Sequence, residues 1–325
     1  MSPQATEAVS IYEPVAEGLE RVKSSLLAVG NVSSDFQGEL LVHALDSTGK
    51  RVRPAITLLA AGFHPHDSRV VETMALAVEL LHIATLIHDD TVDNSDLRRG
   101  RATLSSVWGR NAAVLIGDYL FAKSAVFVCD TGNIGVIRRF AETIMELSSG
   151  ELQESVDAHE SSQTREKYLA RIYNKTASLF TTAAQSGAVL SGAPEATAQK
   201  LRSYGYNVGM AFQIVDDILD FEGDAREVGK PVGSDLAHGI LTLPAIIALE
   251  EDSGGAVGEA LQNPDDSDRL IAAVERVVSS TAIEDSHAVA REYCDRALSE
   301  IVDLQENEFR SSLEALAEYI VDRRI

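Results

Sequence analysis

Two groups of aspartates in this 325-residue sequence have the types and spacing expected of a metal site. Both follow the pattern DDxxD: the first Asp group is Asp89, Asp90 and Asp93, and the second Asp group is Asp216, Asp217 and Asp220. On a helix, spacings of three and four residues bring carboxylates to one face, where they repel each other unless cations are present. Oxygen-only ligands favour Mg²⁺ or Ca²⁺ over Zn²⁺, and Mg²⁺ completes its shell with water and phosphate oxygens. The two groups therefore predict magnesium sites that bind a diphosphate.

Basic residues accompany the first Asp group. Arg98 and Arg99 directly follow it, and Lys50 and Arg53 stand upstream in GKRVRP. Arginine's planar guanidinium suits phosphate oxygens, and Lys50 and Arg53, three residues apart, can point into one cavity. His82 lies about two helical turns before the group and faces the same way. A lone histidine is more often a core residue, but beside carboxylates His82 becomes a candidate anion contact.

The composition is that of a globular chain without a basic surface. Lys and Arg number 28 against 50 Asp and Glu, and this net charge of −22 excludes a generic nucleic-acid binder. Cys129 and Cys294 form no CxxC pair, which argues against a disulfide scaffold or a thiolate zinc site. The least polar run, 73–87, is shorter than the ~20 residues of a membrane span, and the first residues lack a secretory signal. We therefore predict a cytoplasmic protein without stable membrane insertion.

Apolar residues recur with helical spacing through long blocks rich in Ala and Leu, such as ALAVELLHIATLIHDD. No strict alternation with an Asn-Gly or Asp-Gly turn occurs. These patterns predict an all-α fold of roughly a dozen helices, forming one domain over residues 1–325. Breaks are predicted where Gly, Pro, Asp and Ser gather, at 61–68, 94–101, 157–164, 191–195, 222–239 and 251–268.

The motifs resemble those of the trans-isoprenyl diphosphate synthases, also called polyprenyl synthetases. The matching segments cover nearly the whole chain in order: GKRVRP at 49–54, LLHIATLIHDDTVDNSDLRRG at 80–100, GDYLFAKS at 117–124, KTASLF at 175–180, GMAFQIVDDILDF at 209–221 and GKPVGSDLAHGILTLP at 229–244. The resemblance implies a helical bundle around a deep apolar cavity, usually in a homodimer. It also implies head-to-tail condensation of isopentenyl diphosphate onto an allylic diphosphate (dimethylallyl, geranyl or farnesyl), with Mg²⁺ as cofactor.

The resemblance also implies roles for individual residues. Metal would be bound by Asp89, Asp93 and Asp216, supported by Asp90, Asp217 and Asp220. Arg98 would contact the allylic diphosphate, and isopentenyl diphosphate would be held by Lys50, Arg53, His82 and Arg99. The allylic group and its leaving diphosphate would be lined by Lys175, Thr176, Gln213 and Lys230. One position departs from the pattern, because Ile240 stands where many relatives carry a diphosphate-binding lysine.

Small residues precede the first Asp group, and they bear on product length. In this family the residues one turn before that group form the upper floor of the product channel, and here they are Ala84 and Thr85. Without an aromatic residue there, the channel stays open towards Leu81. We expect a product of geranylgeranyl length or longer, preferably a medium or long prenyl chain. The alternative is that Tyr119 or Phe121, from another helix, closes the channel early.

Other functions fit the motifs less well. A class I terpene cyclase also ionises a prenyl diphosphate at a DDxxD cluster, but it lacks a second diphosphate site and normally carries a different second metal motif. A non-catalytic subunit or a prenyl-lipid binding protein would show degraded Asp groups, and both groups are intact. An EF-hand would need a glycine and a closing acidic residue that DDTVDNSDLRRG lacks. A di-iron bundle would need further Glu-x-x-His pairs beside that of Glu79 and His82.

Overall fold

The computed structural model describes residues 11–32, 34–46, 49–98, 100–160, 163–222, 232–252, 254–264 and 266–323. Regular structure in these ranges is almost entirely helical, which confirms the predicted all-α fold. Packing divides the chain into two compact units: unit 1 is Met1–Ala141, Leu179–Gly205 and Asp303–Ala315, and unit 2 is Glu142–Ser178, Tyr206–Val302 and Leu316–Ile325. The expected single domain over residues 1–325 stays a prediction.

Unit 1 begins with a 3-10 turn at Glu13–Val15, followed by a series of helices. These are α1 (Ala16–Ala28), α2 (Asp35–Leu45), α3 (Val52–Ala61), α4 (Ser68–Val92), α5 (Leu104–Trp108) and α6 (Arg110–Asp130). Helices that contribute residues to both units are α7 (Ile134–Asp157), α9 (Ser178–Leu190), α10 (Glu195–Glu222) and α16 (Glu308–Asp322).

Helix α4 is the buried centre of unit 1. It begins at Ser68 because the Asp67 side chain caps it, accepting a hydrogen bond from the Arg69 N–H at 3.0 Å. Its apolar sides pack on α1, α3 and α6, and most of its residues between positions 74 and 84 are buried. The packed length of this helix holds its last turn, which carries the first Asp group, in a fixed place.

A two-residue hairpin follows α4 within the predicted break at 94–101. Strand β1 (Leu97–Arg98) pairs antiparallel with β2 (Arg101–Ala102), and Leu97 lies opposite Ala102. Gly100 has a φ of 74° in the turn, a left-handed conformation that suits glycine. The hairpin brings the side chain of Arg98 back to the end of α4.

Unit 2 contains shorter helices and one π-helical turn, at Tyr173–Ala177. The helices are α8 (Arg165–Ile172), α11 (Ser234–Ala237), α12 (Leu243–Glu251), α13 (Ala256–Gln262), α14 (Ser267–Ser279) and α15 (Ala282–Ile301). Helix α8 begins where Thr164 Oγ1 accepts a hydrogen bond from the Lys167 N–H at 3.4 Å. The π turn follows α8 directly, so helical backbone continues from α8 into α9.

Most predicted breaks coincide with the ends of helices. The breaks at 61–68, 94–101, 157–164 and 191–195 separate α3 from α4, α4 from α5, α7 from α8 and α9 from α10. The break predicted at 222–239 lies outside the described residues over 223–231 and is wrong over Ser234–Ala237, which forms α11. The break predicted at 251–268 is wrong over Ala256–Gln262, which forms α13. This seven-residue helix buries Val257, Ala260 and Leu261 and packs on α14. Tertiary packing therefore stabilises a helix too short to be predicted from its sequence alone.

Two of the described helices, α4 and α6, are long and apolar enough to cross a membrane by length and composition. The apolar run identified in the sequence, 73–87, underestimated the length of α4, which is Ser68–Val92. Two thirds of the least polar stretch of α4 is buried within the protein, whereas only one third of that of α6 is buried. Leu115 and Val126 on α6 are 67% and 51% exposed, and eleven residues apart they share a face to within about 20°. Helix α6 thus presents an exposed apolar face, and the cytoplasmic location stays a prediction.

Gly187 allows α9 to touch the backbone of α3. A Cβ atom at this position would lie 2.1 Å from the carbonyl oxygen of Thr57. In Gly187→Ala, overpacking should lower the free energy of unfolding by about 1–3 kcal/mol. The higher helix propensity of alanine offsets about 1 kcal/mol of this loss. Urea unfolding followed by circular dichroism measures this change. Gly254→Ala, whose Cβ would meet nothing within 4 Å, is the control, and equal stability of the two variants would contradict the packing argument.

Candidate active site

The first Asp group lies at the C-terminal end of α4, and its members have different surroundings. Asp89 and Asp90 stand in the last turn, and Asp93 caps the helix through its N–H, which donates to the Asp89 carbonyl at 2.8 Å. Asp90 is only 8% exposed, and its Oδ1 accepts a hydrogen bond from Arg98 Nε at 2.6 Å. Asp89 is half-buried and Asp93 is exposed. Asp90 is therefore bound within the protein, whereas Asp89 and Asp93 keep accessible surface.

Two of the predicted diphosphate contacts meet beside this group. Arg53, in the first turn of α3, donates from Nη1 to His82 Nε2 on α4 at 3.1 Å. The Arg53 guanidinium also lies 4.5 Å from the centre of the Phe180 ring, a favourable cation–π contact. Lys50 is exposed and lies three residues before Arg53. The structure thus joins Arg53 to His82, while the predicted residues Arg99 and Lys230 lie outside the described ranges.

Asp216 of the second Asp group pairs with a residue that the sequence analysis missed. Arg323, just after α16, donates from Nη2 to Asp216 Oδ1 at 2.5 Å and to the Phe212 carbonyl at 2.8 Å. Its guanidinium lies 4.0 Å from the centre of the Phe212 ring. The Arg323 side chain is 10% exposed and that of Asp216 is 41% exposed. The available sequence signal was the basic pair at 323–324 in an acidic chain.

Asp217 and Asp220 are bound by protein donors. Asp217 accepts hydrogen bonds from Tyr168 Oη at 2.6 Å and from Gln213 Nε2 at 2.7 Å. Burial raises the pKa of Asp217 well above its usual value, the charge of Asp235 adds to this rise, and the two hydrogen bonds oppose it. Asp220 Oδ2 accepts from the Asp235 N–H at 3.2 Å. Asp217 was predicted to support a metal ion, but in the structure its two oxygens bind protein groups.

Lys175 and Thr176 lie in the π turn, a feature often found at functional sites. Lys175 Nζ pairs with Glu151 at 3.0 Å and with Glu154 at a still closer distance. Thr176 is buried, and its Oγ1 donates to Gln213 Oε1 at 2.6 Å. A Cβ atom on Gly150 would lie 2.7 Å from the Lys175 backbone nitrogen. Glycine at 150 therefore lets α7 approach the turn that presents Lys175 and Thr176.

The segment around Ile240 is fixed by hydrogen bonds although it lacks the usual lysine. Gln163 donates from Nε2 to the Gly239 carbonyl at 3.0 Å and accepts from the Leu241 N–H at 3.0 Å. Buried Arg171 donates to the Leu241 carbonyl at 2.7 Å. Ile240, where the resemblance leads us to expect a lysine, thus carries no charge, and the backbone on either side of it is hydrogen-bonded.

The residues expected to set product length do not share one face of α4. From Asp89, Thr85 is displaced by about 40° around the helix, Leu81 by about 80° and Ala84 by about 140°. Thr85 is half-buried, and its hydroxyl donates to the His82 carbonyl at 2.8 Å. Leu81 and Ala84 have no exposed surface. Of these three residues Thr85 lies nearest the face that carries Asp89, and the expected roles of Ala84, Thr85 and Leu81 in setting product length stay predictions.

The carboxylates fit a metal ion that is completed by substrate. Within the described ranges, no three His, Cys, Asp or Glu side chains gather closely enough to hold a metal ion by themselves. Mg²⁺ typically takes one or two protein carboxylates and fills its remaining positions with water and phosphate oxygens. Asp89 and Asp216 are partly accessible, whereas Asp90 and Asp217 are buried. The outward members of each group are thus the candidate ligands.

Comparison with known proteins identifies the family of this chain. A family model described as polyprenyl synthetase matches residues 36–279. The chain belongs to the polyprenyl synthetase family. It is 39% identical over 314 residues to heptaprenyl diphosphate synthase component 2 of Geobacillus stearothermophilus, covering 97% of this chain and 98% of that protein. It is 31% identical over 316 residues to octaprenyl diphosphate synthase of Escherichia coli K12, covering 96% and 98%.

Solved structures of the polyprenyl synthetase family share its fold. The crystal structure of polyprenyl synthase from Caulobacter crescentus CB15, complexed with calcium and isoprenyl diphosphate, matches with a TM-score of 0.92 and 31% identity, over 98% of both chains. A decaprenyl diphosphate synthase from Rhodobacter capsulatus matches with a TM-score of 0.90 and 34% identity, over 98% of this chain and 99% of that chain. These matches confirm the resemblance seen in the sequence, and this polyprenyl synthetase is a prenyltransferase that elongates trans-prenyl chains.

Arg323 is bonded to Asp216 Oδ1, so it would compete with any cation that binds this carboxylate. We expect Arg323→Gln to bind Mg²⁺ up to about fivefold more tightly, because a partly exposed ion pair is worth up to about 1 kcal/mol. Calorimetric titration with Mg²⁺, without substrates, measures the affinity. Arg291→Gln is the matched control. This variant also loses the charge of a paired arginine, but the partners of Arg291 are Glu318 and Asp322 and not Asp216. Equal Mg²⁺ affinities in the two variants would contradict competition at Asp216.

Proposed function

We propose that this polyprenyl synthetase condenses isopentenyl diphosphate head-to-tail with an allylic diphosphate in a Mg²⁺-dependent reaction, giving an all-trans product of geranylgeranyl length or longer. The observation that carries the proposal is near full-length identity of 31–39% to heptaprenyl, octaprenyl and solanesyl diphosphate synthases. Each of these names denotes a product longer than farnesyl. A medium or long prenyl chain is therefore the favoured product.

The reaction begins with ionisation of the allylic substrate. Its C–O bond breaks, the electron pair leaves on the diphosphate, and an allylic cation remains. Stabilisation of the departing negative charge is the largest catalytic need, and preorganised cations meet it. Bound Mg²⁺ would supply this charge at Asp89, Asp93 and Asp216. Arg98, oriented by its hydrogen bond to Asp90, contacts the same diphosphate.

The acceptor substrate is held by basic residues of unit 1. Arg53 donates to His82, so the imidazole accepts at Nε2 and carries its proton on Nδ1. The Arg53 guanidinium, held between His82 and Phe180, is oriented for a diphosphate oxygen. Lys50 adds an exposed charge three residues away. In this proposal Arg99, outside the described ranges, contributes to the same diphosphate contact.

Thr176 and Gln213 stabilise the allylic cation with their oxygen dipoles. The double bond of isopentenyl diphosphate attacks the cation, and a new carbon–carbon bond forms. A proton then leaves C2 of the isopentenyl unit for the released diphosphate, and the electron pair of the broken C–H bond forms the new double bond. Water must be excluded during these steps, because it would quench the cation. Buried Thr176 fits this requirement.

Product analysis tests the proposal directly. The purified chain is incubated with Mg²⁺, farnesyl diphosphate and excess isopentenyl diphosphate, and the products are separated by chromatography after dephosphorylation. We expect prenyl alcohols of at least geranylgeranyl length. Omission of the metal with added EDTA should abolish product formation. No condensation with farnesyl diphosphate would overturn the proposal, and so would a product that stops at farnesyl length when geranyl diphosphate replaces the farnesyl primer.

Thr85 is small enough to leave the product channel open in this proposal. Thr85→Phe puts an aromatic ring one turn from Asp89 and is expected to shorten the longest product by at least one isoprene unit. Thr85→Val is the matched control, because it keeps the volume and loses the hydroxyl. The same chromatographic assay gives the chain-length distribution. An unchanged distribution in Thr85→Phe would show that this position does not set the length.

We further propose that the enzyme is a homodimer joined through α6. Its face with Leu115 and Val126 is exposed, and apolar faces of this kind are usually covered in an assembly. Sedimentation equilibrium should give twice the 35.0 kDa mass of one chain. Leu115→Glu should lower the dimer fraction, whereas Leu27→Glu, on α1, should leave it unchanged. A monomeric wild-type chain would contradict this assembly.

A second candidate function is that of one component of a two-chain synthase. It is suggested by the name of two relatives, each called heptaprenyl diphosphate synthase component 2. In that case the purified chain alone would release no pyrophosphate from the two diphosphate substrates. Both Asp groups are intact, so we favour activity of this chain alone. Pyrophosphate release by the single purified chain decides between the two functions.

A further inference from the structure

Four side chains of unit 2 form a continuous chain of hydrogen bonds. Tyr168 on α8 donates to Asp217 on α10 at 2.6 Å, and Gln213 on α10 donates to the other oxygen of Asp217 at 2.7 Å. Thr176 in the π turn then donates to Gln213 Oε1 at 2.6 Å. Tyr168, Thr176 and Asp217 are buried, and Gln213 is half-buried. One network therefore connects the second Asp group to the hydroxyl that faces the substrate in the proposed reaction.

Asp217 differs from its neighbour Asp216 in what its carboxylate can reach. The Asp216 side chain is 41% exposed, whereas Asp217 is 4% exposed. Each oxygen of Asp217 receives a hydrogen from a protein side chain. Adjacent residues on a helix point about 100° apart. The DD pair thus directs Asp216 outward and Asp217 into the protein.

An acceptor at position 217 determines which way the Gln213 amide faces. The oxygen and the NH₂ group of a glutamine have similar shapes, so their orientation follows from the hydrogen-bond network. In the structure both oxygens of Asp217 accept hydrogen bonds, one from Tyr168 and one from Gln213. The Gln213 NH₂ group must therefore face Asp217, and Oε1 must face Thr176. Tyr168 fixes the carboxylate from its other side.

The orientation of Gln213 in turn fixes the hydroxyl of Thr176. Since Oε1 can only accept, the Thr176 hydrogen points to Gln213, and the Thr176 oxygen presents its lone pairs elsewhere. A reversed amide would require the hydroxyl to accept from the NH₂ group. The Thr176 hydrogen would then be free to point at the substrate. This would place positive rather than negative dipole charge near an allylic cation.

We propose that Tyr168 and Asp217 are positioning residues that orient the Gln213 amide and, through it, the Thr176 hydroxyl for ionisation of the allylic diphosphate. The inference rests on the proposed function, because the allylic cation is what the oriented dipoles stabilise. It gives Asp217 a role distinct from metal binding. It also gives Tyr168, outside every motif singled out in the sequence, a role in the reaction.

The first test removes one donor with little change in shape. Tyr168→Phe lacks the hydroxyl that holds the second oxygen of Asp217, so the carboxylate can shift away from Gln213 and the amide is held less firmly in place. We expect kcat to fall at least about tenfold, as is usual when reacting groups are misplaced, while both substrate KM values stay within about twofold. The Mg²⁺ concentration for half-maximal rate should not change. Tyr319→Phe, on α16, controls for the loss of a tyrosine hydroxyl elsewhere in unit 2.

The second test exchanges the acceptor and the amide. Asp217→Asn can offer an NH₂ group to Gln213 and so permits the reversed amide, and kcat should fall at least about tenfold. In the double variant with Gln213→Glu, the new carboxylate at position 213 accepts at once from the new amide at position 217 and from Thr176. The Thr176 hydroxyl is then oriented as in the wild type, with the same total charge. The double variant should therefore recover at least about fivefold over Asp217→Asn, a non-additive effect typical of contacting residues.

The outcomes separate this inference from the proposed function. A wild-type chain that makes no prenyl product defeats the proposed function itself. With an active wild type, a folded Tyr168→Phe variant with kcat within about twofold of wild type overturns the inference. The inference is also overturned if Asp217→Asn loses activity and the added Gln213→Glu change fails to restore it. It is overturned as well if Asp217→Asn acts by raising the Mg²⁺ concentration that the enzyme requires. Either result would mark Asp217 as a metal ligand. Thermal unfolding checks each variant, and if Tyr168→Phe fails to fold, the exchange of Asp217 and Gln213 decides alone.

Discussion

Repulsion among carboxylates is the constraint on which both Asp groups depend. Three like charges within one or two turns destabilise a helix, and more so where burial reduces screening by water. On α10 the three carboxylates are compensated differently: Asp216 pairs with an arginine, Asp217 accepts from two neutral side chains, and Asp220 accepts from a backbone N–H. In unit 2, Asp216 thus keeps part of its surface accessible beside its arginine partner, whereas Asp217 is enclosed by protein donors.

The same division appears on α4, where an independent set of residues produces it. The second aspartate of each DD pair is buried, at 8% exposure for Asp90 and 4% for Asp217, whereas Asp89 and Asp216 remain partly accessible. The cause is geometric, because adjacent helical residues are separated by about 100° and cannot face one site together. The inward aspartate must find protein donors, since a buried unpaired charge is costly. DDxxD therefore combines a candidate metal ligand with an anchor for the residues around it.

The π turn solves a related positioning problem. Lys175 and Thr176 are adjacent in sequence, yet one pairs with carboxylates of α7 and the other with Gln213 on α10. A π turn widens the helix by one residue per turn and changes the angle between successive side chains. The close approach of α7 also requires a glycine at position 150. Backbone geometry, rather than side-chain type alone, thus determines how this pair can act on a substrate.

The sequence predicted the features that depend on local spacing and missed those that depend on distant contacts. The long helices, four of the breaks and the two Asp groups follow from hydrophobic period, turn residues and i, i+3 or i, i+4 spacing. The partners of the second Asp group do not, because Tyr168 is 49 residues from Asp217 and Arg323 is 107 residues from Asp216. Neither belongs to a motif, and the identity of neither reveals which carboxylate it meets. A pattern on one helix can therefore identify a reactive cluster, but only the packing of the remaining chain decides which member of the cluster faces the substrate.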